Sequence, residues 1–310
     1  MDAQAYKRLN ASFKKKLVYR IGVSAGFFSE LNNMLLAMAY CLNHEIRFVL
    51  YSRNANFGLE NGWTELFLPF TRESRIRLHA TYNGRMNPAL VRPERDIAQK
   101  VRLLKAVTRT DFLTHDLFAA VRNEAKSGLY YGFPSLDISG GIRNVLVELS
   151  GLAWRFNERT RDLVDKALAP LELPGEYVSF HIRNGDKVTE APVYGARDYI
   201  EVAQRSSSIR TAFVGTDDYS NIEFLVKEYP EWRFCHLGDE SQRGYLQASF
   251  DAKPASTKRA ELINLLASVE AMTGSKLFVG TFTSNVGSFV GMRMPKERCL
   301  DVSGSPWFVW

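Results

Sequence analysis

Cysteine is scarce in this 310-residue chain: Cys41, Cys235 and Cys299 are far apart, and each lies in an apolar run. An odd number with no short spacing excludes a disulfide scaffold and a thiolate zinc site. The three read instead as small buried hydrophobes in a reducing compartment. Long apolar runs are missing as well. The longest, Leu31 to Leu42, is interrupted by Asn32 and Asn33 and falls short of the roughly 20 residues that span a bilayer. The opening segment MDAQAYKRLNASFKKKL has no apolar stretch of the kind a secretory signal carries. A cytoplasmic protein without a transmembrane segment is expected. No repeat of fixed period and no low-complexity tract is present, which excludes solenoid and disordered architectures. Neither sign of charge dominates, since 40 Lys and Arg stand against 34 Asp and Glu, a balance of +6. That favours an anionic ligand without calling for nucleic acid. The basic clusters Lys14 to Lys16 and Arg72, Arg75, Arg77 lack the interleaved aromatics of an RNA-stacking surface.

What is there is an ordinary core-forming composition, 45% hydrophobic, over a length that suggests two domains. Leu17 to Val23 reads as a strand. The helical spacing of Leu31, Leu35, Met38 and Leu42 follows, with Ser29 placed to cap, and Ile46 to Tyr51 is a second strand. Strand, helix and strand within about forty residues make a βαβ unit, which requires a parallel sheet covered by helices. Helical patterns resume at Glu94 to Val107 and Phe112 to Lys126. Residues 132 to 141 read as a Gly-rich loop, and Val145 to Leu168 as one long amphipathic helix. Short apolar strands at Tyr177 to Ile182, Thr211 to Gly215, Arg233 to Leu237, Leu277 to Gly280 and Leu300 to Val302 then mark a second α/β domain. The expected division is 1–150 and 151–310, two Rossmann-like domains of α/β class. Trp63, Trp154 and Trp232 are expected in cores or seams, and Trp307 and Trp310 against the first domain.

In parallel sheets ligands gather beyond the carboxyl ends of strands, so the residues after each strand are the informative ones. Three strand ends stand out. In YVSFHIRNGDKVTEA, alternation separates Val178, Phe180 and Ile182 from Ser179, His181 and Arg183, and Asp186, Lys187 and Glu190 follow in the loop. So many charges at a strand tip are costly to bury unless paired or holding a ligand; a surface salt-bridge cluster is the plainer reading. In TAFVGTDD the strand ends in Thr216, Asp217 and Asp218, carboxylates that could orient hydroxyls, hold a divalent metal or cap the next helix. In LFVGTFTSNVGSFVG, hydroxyls and backbone N–H groups at a helix start beginning near Ser284 could hold a phosphate through Thr281, Thr283, Ser284 and Asn285. An ordinary capped helix packed closely through Gly287 is the alternative.

The combination suits transfer from a nucleotide diphosphate sugar. Arg183 and Lys187 would neutralise the departing diphosphate, the Ser284 helix start would hydrogen-bond it, and a carboxylate, Glu190 by preference, would deprotonate an acceptor hydroxyl without a metal. Two other readings use the same residues: a nucleotide or phosphosugar binding protein without turnover, and metal-dependent sugar-phosphate chemistry at Asp217 and Asp218.

The series HIRNGDKVTEA, Tyr199, VGTDD and FVGTFTSNVG resembles the ordered motifs of the α1,6-fucosyltransferases over about residues 177 to 290, with a looser likeness upstream in GFFSELNN and FVLYS. The resemblance implies a GT-B-like arrangement of the two domains, with the N-terminal one on the acceptor side. It also implies GDP-fucose as donor, a glycan acceptor, inversion and no metal cofactor. Carried across residue by residue, it implies Arg183 and Lys187 on the diphosphate, Glu190 as base and His181 near guanine; Asp186, in the loop after Arg183, and Thr283, before the helix start, are expected on the donor as well. Asp217 and Asp218 would make essential hydrogen bonds, and Ser284 with Asn285 would meet phosphate. Tyr194 and Tyr199 are expected near the acceptor. The chain departs from the pattern at Asn184, where a second Arg is usual, and at Ser268, where an Asp reads guanine; Glu270 is the expected substitute.

Overall fold

The computed structural model describes residues 1–23, 25–91, 96–184, 192 and 194–309. They form two compact units, Met1–Asn157 and Glu158–Trp310.

In the first unit, β1 (Lys15–Arg20) pairs in parallel with β2 (Ile46–Tyr51) on one side and β3 (Phe112–Leu113) on the other. The helix Phe27–Asn43 makes the crossover between β1 and β2 and is buried along almost its whole length. It starts three residues before the sequence suggested. Gly26 is the N-cap, and Ser29 sits inside the first turn beside Glu30, whose charge suits the positive helix end. The stretch 132–141 is a small antiparallel hairpin, β4 (Tyr131–Phe133) against β5 (Ile138–Gly140), turned by Asp137 in the left-handed region. The single helix expected over 145–168 is two, Ile142–Ala153 and Glu158–Leu168. Packing imposes the break: Trp154 and Phe156 leave the helical path to join Phe27, Trp63 and Phe67 in one aromatic cluster. Trp63 and Phe67 stack there at 4.3 Å between ring centroids.

The second unit is a five-stranded parallel sheet in the order β10-β9-β6-β7-β8. Its strands are β6 (Val178–Ile182), β7 (Thr211–Thr216), β8 (Arg233–Cys235), β9 (Leu277–Gly280) and β10 (Cys299–Asp301). β6 is central and buried on both faces. Val178, Phe180 and Ile182 pack with Val214, Ile222 and Trp232. On the other face the Ser179 hydroxyl is 2.8 Å from that of Ser275. The chain runs from β6 outward through β7 to β8, then returns to the opposite side of β6 for β9 and β10. The connections after β6 and β9 therefore depart in opposite directions, which opens a crevice at their carboxyl ends. Trp307 belongs to this unit, its indole N–H donating to the Ser288 carbonyl at 2.9 Å; Trp310 lies outside the described residues.

Candidate functional site

The switch point between β6 and β9 collects the polar residues that follow the two strands. His181 is the penultimate residue of β6 and Arg183 the first beyond it. Ser284 begins the helix Asn285–Arg293 that follows β9, and its hydroxyl accepts the Gly287 N–H at 3.2 Å as a true N-cap. Gly287 is required by this approach, since a Cβ there would overlap the Thr281 carbonyl oxygen. The loop from β9 is tied further by Asp301 at the end of β10, which accepts the Phe282 N–H at 2.6 Å.

Across the crevice, Ser284 Oγ and His181 Nδ1 are 3.3 Å apart. The imidazole is 7% exposed. Burial, aided by the Arg183 charge, pushes its pKa down to about 3, so it is a neutral ring at neutral pH.

Arg183 is fixed from β7. Its Nη1 donates to Asp217 Oδ2, and Asp217 Oδ1 accepts the Asn184 backbone N–H at 3.0 Å, so one carboxylate anchors both the guanidinium and the chain leaving β6. The pair is 18% and 12% exposed at the side chains, a setting in which removal of either partner strands a charge. Asp218 has a different task. Its Oδ1 accepts the backbone N–H of Ser220 at 3.0 Å and its hydroxyl at 2.7 Å, which starts the helix Ser220–Glu228. The two carboxylates are thus engaged with separate partners. Among the described residues, no group of three His, Cys, Asp or Glu is placed to hold a metal ion.

The structure therefore brings His181, Arg183, Asp217 and Ser284 together, with Asp218 next to them, Thr283 exposed on the same loop and Asn285 opening the helix. Asp186, Lys187 and Glu190 lie outside the described residues. Tyr199, expected near the acceptor, is 1% exposed and packs edge-on to Phe180. Burial raises its pKa well above the ordinary phenol range. Glu270, expected on the donor base, pairs with two guanidinium groups, Arg161 at 2.8 Å and Arg293 at 3.8 Å, while Ser268 turns its hydroxyl back to the Asn264 carbonyl. Tyr194 is half-buried against the core of this unit. Sequence reasoning missed Asp301, whose position at a strand end ahead of a Ser-Gly-Ser turn was the available signal. It also missed Tyr245, over whose ring the Arg183 guanidinium lies at 5.0 Å.

No protein-family model matches the sequence, and no curated protein matches it. Solved structures do. The NodZ α-1,6-fucosyltransferase soaked with GDP-fucose superposes with a TM-score of 0.51 at 12% identity, covering 91% of this chain and 94% of that one. NodZ from Bradyrhizobium superposes at 0.52 and 11% identity, over 91% and 94%. The chain has the fold of these proteins. The apo form of POFUT1, at 12% identity over 92% of this chain and 97% of that one, reaches a TM-score of only 0.48, too loose to argue from. The expected α/β class with parallel sheets is the fold found.

Proposed function

We propose that the protein is a glycosyltransferase whose C-terminal unit binds a nucleotide diphosphate sugar, GDP-fucose by preference, and passes the sugar to a glycan hydroxyl. One observation carries the reading: a guanidinium held by Asp217, a neutral buried imidazole and a hydroxyl-capped helix start converge where β6 and β9 diverge. A fixed cation and a helix N-terminus at one crevice suit a diphosphate, and a neutral imidazole can hydrogen-bond a base without adding charge. The choice of donor draws on the fold shared with a fucosyltransferase soaked with GDP-fucose.

In the proposed reaction the acceptor oxygen attacks the anomeric carbon from the face opposite the leaving group. The bond from that carbon to the β-phosphate oxygen breaks, and the configuration inverts. Arg183 stabilises the charge that develops on the departing diphosphate. Lys187 would add a second positive charge and Glu190 would take the acceptor proton; both assignments rest on the sequence pattern. No metal is assigned a step, and Asp217 and Asp218 are committed to the guanidinium and the helix start. The N-terminal unit is assigned the acceptor.

The test is a calorimetric and thermal-shift panel of nucleotides and nucleotide sugars, followed by transfer assays. GDP and GDP-fucose should bind more tightly than UDP, CMP and ADP counterparts. Equal or absent binding across the panel would refute the donor assignment.

A further inference from the structure

The loop that follows β8 reaches the site by an antiparallel bridge between Asp218 and Arg243. Gly244 N–H donates to the Asp217 carbonyl at 2.9 Å, and Tyr219 N–H donates to the Gln242 carbonyl at 3.0 Å. The bridge lays residues 242–244 along the tip of β7, so the next residue, Tyr245, is delivered to Arg183. The guanidinium carbon lies 5.0 Å from the centroid of the Tyr245 ring. The ring is itself secured, for its hydroxyl donates to Gln247 Oε1 at 3.0 Å and Phe250 stands 5.9 Å away. A cation over an aromatic ring is held by the π cloud, and the contact consumes none of the guanidinium N–H donors. Asp217, by contrast, takes up N–H of Arg183 directly.

We infer that Tyr245 is a positioning residue for Arg183: with Asp217 it fixes the guanidinium in place before an anion arrives, and so lowers the ordering cost of binding a diphosphate. The inference rests on the nucleotide reading above. Its test compares GDP affinity by calorimetry in the full chain and in Tyr245→Phe, Tyr245→Leu and Tyr245→Met, with melting temperatures recorded alongside. Phe keeps the π face and should bind within about two-fold of the parent. Leu and Met fill the space without it and should bind about 3- to 30-fold more weakly, the range that a partly desolvated cation–π contact supports. In an Arg183→Gln background, titrated to millimolar GDP, Tyr245→Leu should cause no further loss. Tyr245 is only partly buried, so all variants should melt near the parent temperature. Parent-like binding by both Leu and Met overturns the inference, as does a loss in Phe equal to that in Leu. A Tyr245→Leu effect that persists without Arg183 overturns it too. If the parent chain itself binds no GDP, the nucleotide reading falls first and this inference with it.

Discussion

At the scale of single residues the site is an arrangement for holding one positive charge still. Asp217 binds the Arg183 guanidinium and the backbone just beyond it, and the guanidinium lies over the Tyr245 ring. If the proposed function holds, Arg183→Ala should reduce sugar transfer by about 10²–10³-fold, the usual cost of losing a principal charge-stabilising donor, and weaken GDP binding in calorimetry. Unchanged transfer would remove the central role given to the guanidinium. Glu190→Gln should leave GDP affinity intact while transfer falls by about 10²–10⁴-fold; equal loss of both would place Glu190 on the donor instead. His181 gives a prediction on stability. It is neutral in the folded protein down to about pH 3, whereas an unfolded histidine takes up its proton near pH 6.5. Between those values the unfolded chain binds a proton that the native one refuses, so stability is full above pH 6.5 and declines as the pH falls toward 3. His79 in the first unit, depressed to about 4 by burial, acts in the same direction. Melting temperature measured from pH 7.5 to 4.5 should fall with acid, and less steeply in His181→Asn.

At the scale of elements, the strands that carry the site were legible because a central parallel strand is a short apolar run with turn residues after it. β2 and β9 have the bounds that their residues suggest, and Ser284 caps the helix it precedes. Elements shaped by tertiary demands were not legible. Nothing local stops a helix at Trp154, and only the aromatic cluster explains why the chain leaves the helical path there. Tyr199 could have been recognised as core, since Tyr199, Ile200 and Ala203 form the buried stripe of the helix Ala196–Ser206. Tyr245 could not, because it sits in a loop without periodicity and meets Arg183 through a backbone bridge. The helix start after β9 is the element most exposed to test. Gly287→Ala would drive a Cβ into the Thr281 carbonyl and should cost about 1–3 kcal/mol, whereas Ser284→Ala, which removes only the cap, should cost about 1 kcal/mol. Denaturant midpoints of the two variants check the order. A Gly287→Ala variant as stable as the parent would mean that the close approach of helix and strand is not needed.

At the scale of the whole molecule, the strand order of the second unit decides where chemistry can occur, and no linear pattern announces that order. The sequence could place Arg183, Asp217 and Ser284 each at a strand end; it could not say that β9 lies beside β6, which is what turns three strand ends into one crevice. His181, Arg183, Asp217, Tyr245 and Ser284 all come from Glu158–Trp310, a unit that is compact by itself. The proposed anion site should accordingly travel with that unit. A fragment beginning at Glu158 is expected to fold and to bind GDP with an affinity close to that of the full chain, while the proposed transfer, for which the first unit is assigned the acceptor, is lost. At about 100 times its dissociation constant, a ligand confined to the native state adds about 2.7 kcal/mol, which for a domain of this size raises the melting temperature by roughly 5–10 °C. The fragment and the full chain should show comparable shifts with GDP. A fragment that folds cooperatively yet shows no shift, beside a full chain that does, would mean that residues before Glu158 complete the nucleotide site.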